Sequence, residues 1–256
     1  MKGKKCSKRL IIYEIRNVIG NPFIAFFGTV FPVMMLMIIT FALKKEVPAS
    51  MLLESNTSVF ITMSLIIPMA VILLGHSANY SQELEKEIPV RMQLFGFPTG
   101  SIMIAKVVAQ TITLTVTLLL YTVFAYAVVD LQIPSFSSAL CLVMCLYALG
   151  ILFFLFAHGL SNIIKKFGPT YTISMFFYFG VMMLCGMMGI RTEQLPKALK
   201  TLSSYLPMSY IANDFIDFWQ GGSYNFGPMI QAFLFFGALC GLLVVYAGYK
   251  NRRVIK

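Results

Sequence analysis

Apolar residues in this chain gather into long unbroken runs, not into the alternation of a half-buried strand or the narrow stripe of a surface helix. Six runs stand out: Phe23–Leu43, Val59–Ala78, Ile102–Val129, Ala139–Ile164, Thr170–Ile190 and Pro228–Tyr249. A bilayer core of about 30 Å needs about 20 helical residues, and each run meets that length. The runs predict an all-α membrane protein with six transmembrane helices. Threonines alternate with aliphatics through Thr111–Thr117 as in a strand, but the apolar surroundings are too long for one. Within a helix those hydroxyls bond back to the carbonyls of the preceding turn.

Polar punctuation supplies the rest of the plan. Residues 1–22 read as a cytosolic basic arm ending in a short amphipathic helix. Its apolar face is Ile11, Ile15, Val18 and Ile19, and Lys8, Arg9 and Arg16 point to water or phosphate. Such a helix suits the inner membrane surface, and a solvated leader is the plainer alternative. Residues 23–249 form the six-span domain, and 250–256 a cytosolic basic tail. Two polar segments interrupt the spans: an island at 80–100 between the second and third, and a longer loop at 191–227 between the fifth and sixth. The loop carries two helical patterns, Leu195/Leu199/Leu202 around Pro196 and Ile211/Phe215/Phe218/Trp219 after Pro207, which predict a short helical hairpin.

Composition agrees with membrane residence. The 256 residues are 58% hydrophobic and 12% charged, about half the charge of a soluble domain. The first run is too long, and lacks the small-residue cleavage pattern, for a signal peptide. With a cytosolic N-terminus, fifteen of the twenty Lys and Arg residues fall inside. Both termini are then cytosolic, and the net charge of +10 marks topology and anionic lipid contact, not nucleic-acid binding. The five cysteines, Cys6, Cys141, Cys145, Cys185 and Cys240, show no disulfide framework, and the placement fits a bacterial cytoplasmic membrane.

Chemistry is sparse. All ten acidic residues lie outside the runs or at their ends, with Lys106 near the inner edge of the third, so ion coupling through intramembrane carboxylates is not expected. His76 and His158 read as packing or hydrogen-bonding residues. No G-x-x-x-x-G-K-[ST] sequence occurs, so any energy from ATP must come through a partner. The segment Lys86–Arg91 is one residue from the EExxxR of prenyl-protein-type membrane proteases, and FxxxH and HxxxN both meet at His158. The first glutamate is Lys86, and ligands for a metal are lacking. Met182, Met183, Met187 and Met188 surround Cys185; Cu(I) handling is one reading, adaptable packing or a permissive surface for greasy ligands another. Met182, Met183 and Phe176 are candidates for lining a substrate path; no catalytic or metal residue is assigned.

The island is the most informative stretch. Ser81–Glu87 can carry the second span's helix into the cytosol; Pro89 breaks it or opens another. Val90–Phe97 can form a short helix ended by Gly96 and Pro98, with Thr99 or Ser101 capping the third span. An ordinary solvated loop would not need Met92, Leu94, Phe95 and Phe97 in water.

Here the chain resembles the membrane subunits of ABC-2-type exporters, whose stretch between spans two and three runs E-[RK]-E-x-G-[ST]-L-x-x-L-x-x-x-P-[VL]-[ST]. Glu85, Lys86, Glu87, Leu94 and Pro98 stand at matching positions, while Pro89 replaces the usual glycine and Val90-Arg91 the Thr-Leu pair. The likeness extends to the N-terminal helix, the six-span layout and the outer loop with Leu206–Phe215. It implies a second permease copy, identical or similar, and a cytosolic ATPase subunit holding ATP and magnesium, with no cofactor in this chain. The island would be a coupling helix. Glu85, Glu87 and Arg91 would make its polar contacts, Met92, Leu94 and Phe95 its apolar ones, and Pro98 its end. The outer-loop helices, with Pro207, Tyr210, Phe215 and Trp219, would belong to an extracellular gate. Charge-free spans rich in Met and Phe suit a lipophilic or amphipathic cargo such as a drug, antimicrobial peptide or lipid-linked molecule. Polysaccharide or glycolipid export, a prenyl-protease-type metalloprotease, and a non-transporting anchor are the rivals.

Overall fold

A computed structural model describes residues 6–188 and 192–254. Arg191, residues 189 and 190 at the end of the fifth apolar run, Lys2, Lys4 and Lys5 of the basic arm, and the tail's last two residues, including Lys256, lie outside the described residues. Among the described residues helices are the regular structure present, joined by short irregular segments, with no strand. Six helices are long and apolar enough to cross a membrane: span 1 (Pro22–Glu46), span 2 (Ala49–Glu85), span 3 (Thr99–Val128), span 4 (Phe136–Ile164), span 5 (Phe167–Leu184) and span 6 (Phe226–Asn251). The shorter helices are α1 (Lys8–Ile19), α2 (Ile88–Leu94), α3 (Lys197–Ser204), α4 (Pro207–Asn213) and α5 (Phe215–Trp219).

Span 2 is the axis of the bundle. Its central stretch, Leu65 to Leu74, is buried on every side, whereas spans 1, 3, 4, 5 and 6 leave broad apolar flanks outward, as lipid-facing helices do. Span 2 starts at Ala49, ten residues before its apolar run, and its 37 residues reach beyond one bilayer core. Span 5 is shorter than expected because Gly186, at φ +79, turns the chain left-handed and lets the Met187 amide bond back to Met182.

Spans 1 and 2 each carry a π-helical segment beside a proline. In span 1 it is Phe26–Val30 ahead of Pro32, and in span 2 it is Met69–Leu74 after Pro68. A proline lacks the N–H for the i−4 carbonyl, so the ladder is displaced locally instead of broken. The two segments pack on each other, close enough that a Cβ on Gly28 would meet Val71 Cγ2 at 2.8 Å.

At the opposite end from α2, the described residues of the loop expected as a hairpin form a 3-10 turn at Thr192–Gln194 and then three short α-helices. Asp214 separates α4 from α5, dividing the pattern that runs from Ile211 to Trp219. The threonines of span 3 behave as expected: Thr111, Thr113 and Thr115 donate to the carbonyls of Val107, Ala109 and Thr111.

Candidate coupling site and the ionic cluster behind it

Span 2 ends in a sharp corner. Glu87 adopts φ 56, and its amide bonds to the Leu84 carbonyl. The left-handed residue is thus Glu87, two positions before Pro89, which takes a place in the first turn of α2 where it gives up no hydrogen bond. At the far end Gly96 (φ +88) closes α2: its amide reaches Gln93 and the Phe97 amide reaches Met92. Span 3 follows at once, with Pro98 in the cap position; the expected side-chain cap from Thr99 is not formed, because Thr99 is already the first helical residue. α2 is therefore held between two spans with no slack.

Its surface divides in two. Pro89 is buried and Met92 half-buried; Met92 joins Ile88 and Phe97 opposite Ser7, Arg9, Leu10 and Tyr13 of the α1 region. Leu94 and Phe95 are 83% and 73% exposed, and Val90 is 55% exposed. Arg91, Glu87 and Pro98 are exposed beside them. Met92 thus faces inward, away from Leu94 and Phe95, and Val90 joins the exposed apolar set in a place that sequence reading left unassigned. Glu85 also has an internal task. Its carboxylate accepts the Phe167 amide at 2.8 Å, where the exposed N–H groups of span 5's first turn favour an anion.

Behind α2 lies a cluster that sequence reading did not assemble. Lys106 Nζ is 2.9 Å from the Glu14 carboxylate and 2.7 Å from that of Glu83, with all three side chains no more than 5% exposed. Asn17 Nδ2 donates to Glu83 at 2.9 Å. One side chain comes from α1, one from span 2 and one from span 3. This pairing sets the rotation of α1. Its buried stripe is Leu10, Glu14 and Val18, while Ile11 and Ile15 are half-buried and Ile19 is 63% exposed. Lys8, Arg9 and Arg16 do point outward. Burial is the main cause raising the Glu14 carboxyl above its ordinary range; Lys106 opposes it and Glu83 adds to it. Asn21 caps span 1 and ties the elbow down: it donates to Asn79, which donates to the Asn17 carbonyl.

His76 and His158 meet beside the cluster, 5.7 Å apart between ring centroids, stacked with Tyr80 and Phe154. Lys106 Nζ lies 5.7 Å from the Tyr80 ring centre, and Asn162 pairs with the His158 ring at 3.0 Å. Among the described residues no group of three or more His, Cys, Asp or Glu side chains has a geometry for a metal ion.

At the distal end Pro207, Phe215 and Trp219 are buried and Tyr210 is half-buried. The Tyr210 hydroxyl donates to Ser204, Trp219 Nε1 donates to Gln132, and Phe215 packs edge-on against Phe218 and Tyr224. Thr62 and Ser138 donate to the Ala212 and Phe218 carbonyls, fastening this layer to spans 2 and 4. Beneath it opens a cavity of about 580 Å³ whose wall joins Ile39, Val59 and Met63 to Ser58, Ser203 and Ser209. The three path candidates on span 5 do not converge: Met182 is fully buried, whereas Met183 and Phe176 face outward at 42% and 83% exposure.

Residues 7–218 match the family model described as ABC-2 type transporter. No curated protein and no solved structure is matched by the chain.

Proposed function

Because the chain belongs to the ABC-2 type transporter family and is a membrane permease component whose family implies a partnering ABC ATPase, we propose that it is the permease of an ATP-driven exporter, and that α2 is the element on which the ATPase acts. One observation carries the reading. Val90, Leu94 and Phe95 form an exposed apolar cap flanked by Glu87 and Arg91, on a helix beyond the end of span 2. Exposed apolar residues rimmed by charges mark a surface that another protein covers. Rigid attachment to spans 2 and 3, and the Glu85 bond to span 5, let a push on α2 move three spans together.

The direction of transport is outward, both termini face the cytosol of a bacterial cell, and two permease copies, identical or similar, act with two ATPase subunits. ATP and magnesium belong to the ATPase. Pro207, Tyr210, Phe215 and Trp219 form part of the extracellular gate. The cargo is lipophilic or amphipathic: the distal cavity pairs an apolar wall with a hydroxyl-rich one, which suits a molecule with a greasy body and a polar head. The same serines also fit sugar hydroxyls, which keeps glycolipid export as the second reading.

The deciding experiment is a mild-detergent pull-down of the tagged chain co-expressed with its genomic neighbours, compared with a Leu94→Asp/Phe95→Asp variant. Both side chains are exposed, so the variant folds. A Walker-A ATPase retained by wild type and lost by the variant is expected. An ATPase held equally by both, or by neither, refutes α2 as the coupling surface. ATPase stimulation by amphipathic drugs or lipopeptides against glycolipids then separates the two cargo classes.

A further inference from the structure

The cluster around Lys106 is short of both charge and donors. With both ionised, Glu14 and Glu83 would set two negative charges against the one positive charge of Lys106, and all three groups are buried. Water does not neutralise such an imbalance well at this depth, so an uncompensated charge is costly. The hydrogen bonds are unbalanced too. Glu14 gives Oε2 to Lys106, but its Oε1 is buried with no partner among the described residues, as are Gln110 Oε1 and His76 Nε2. Their side chains are 2%, 3% and 1% exposed.

These three residues border one small cavity, closed by Val18, Asn79, Tyr80 and Lys106. Its room, about 10 Å³, is that of about one water molecule. In the tautomer with its proton on Nδ1, His76 Nε2 is an acceptor like the two carbonyl-type oxygens, and a water then offers two hydrogens to three acceptors. A water with one added proton, or a neutral Glu14 beside a water, supplies three hydrogens and cancels the surplus negative charge. We propose that this cavity is a proton-binding site, in which one water and one proton bridge Glu14, Gln110 and His76.

The charged and titratable groups facing Glu14 are Tyr13 on α1, Tyr80, His76 and Glu83 on span 2, and Lys106 on span 3, with His158 of span 4 behind His76. Only Lys106 among them favours a charged Glu14; burial and Glu83 disfavour it. The linkage has a definite sign. A carboxyl raised above its unfolded value binds more protons in the folded protein, so its stabilising contribution is complete at low pH. That contribution is lost as pH rises through the folded value. Since Glu14 is the α1 side chain that pairs with Lys106 of span 3, this part of the hold on α1 is firmest when the site is loaded.

The test uses the purified full-length chain in lipid nanodiscs and requires no transport, so its failure is distinct from failure of the exporter reading. Infrared spectra are recorded from about pH 5 to about pH 8, together with melting temperature. Wild type is expected to show the carbonyl stretch of a buried protonated carboxyl, fading with rising pH as the melting temperature falls. Glu14→Gln, a neutral mimic of the loaded site, is expected to lose that band, to melt at a nearly constant temperature, and to exceed wild type at the upper end. Glu54→Gln, an exposed control, is expected to behave as wild type. The proposal is overturned if no Glu14-dependent carboxyl band appears at any pH. It is equally overturned if Glu14→Gln keeps the wild-type slope, or if Glu14→Gln fails to fold while Glu14→Asp folds, since the negative charge itself would then be required.

Discussion

Replacing Lys106 by methionine tests how the ionic cluster contributes to the fold. Methionine keeps much of the apolar stem and removes the charge, leaving Glu14 and Glu83 buried and facing each other. At 2.7 and 2.9 Å, each attraction to Nζ is about 6 kcal/mol at an effective dielectric of about 20. The cost of taking the ions out of water cancels most of that gain when the cluster is intact. At alkaline pH, where Glu14 is ionised, the mutation keeps the carboxylates' desolvation cost and deletes their partner, so Lys106→Met is expected there to destabilise by about 3–5 kcal/mol. The triple change Glu14→Leu, Glu83→Leu, Lys106→Met removes both terms and is expected to fall within about 2 kcal/mol of wild type. Thermal unfolding in nanodiscs reads the stability. Maleimide labelling of Cys6, the cysteine next to the α1 cap, reads detachment of α1 and is expected to quicken in the single variant alone. A single variant costing less than about 1 kcal/mol, or a triple variant as unstable as the single one, would refute the account.

Three further outcomes follow from local geometry. Gly75→Leu is expected to cost about 1–3 kcal/mol, because even its Cβ would lie 2.5 Å from Ile24 Cδ1; thermal unfolding checks it, with Gly241→Leu, where a Cβ meets open space, as the tolerated comparison. Glu87→Gly relieves a left-handed non-glycine residue, a strain of about 1–2 kcal/mol, and after glycine's entropy cost in the unfolded chain a gain of up to about 1 kcal/mol in unfolding free energy remains. Glu85→Ala removes the anion from the first turn of span 5 at a cost of about 0.3–1 kcal/mol, and hydrogen exchange at the Phe167 amide is expected to accelerate several-fold while the other spans stay unchanged.

How much of this was legible depended on whether a feature is local in sequence. The six spans follow from uninterrupted apolar length. The start of span 2 was not legible, because Glu54, Asn56 and Thr57 interrupt its hydropathy. In the fold Asn56 and Thr57 bind the Asp130 carbonyl and the Gln132 amide, so polar residues are comfortable in that helix. Leu94 and Phe95 were legible as apolar residues stranded among charges. The ionic cluster was not, since Glu14 and Lys106 lie 92 positions apart. A signal existed nonetheless: Glu14 sits four residues from both Leu10 and Val18, on a stripe that is otherwise apolar.

Placement of that cluster changes what a push on α2 has to move. Glu83 belongs to the last turn of span 2, directly before the Glu87 corner, and Lys106 lies two turns into span 3, directly after the Gly96 closure. The two spans bracketing α2 are therefore pinned to each other, and through Glu14 to α1, immediately behind it. Glu85 extends the connection to span 5. Spans 2 and 3 cannot separate at this end without parting Lys106 from a carboxylate, so small displacements of α2 are borne by the group as a unit. The departure of Pro89 from the family's glycine fits the same economy. With the left-handed turn taken two residues earlier at Glu87, no position between it and Gly96 needs a positive φ, and a proline there stiffens α2.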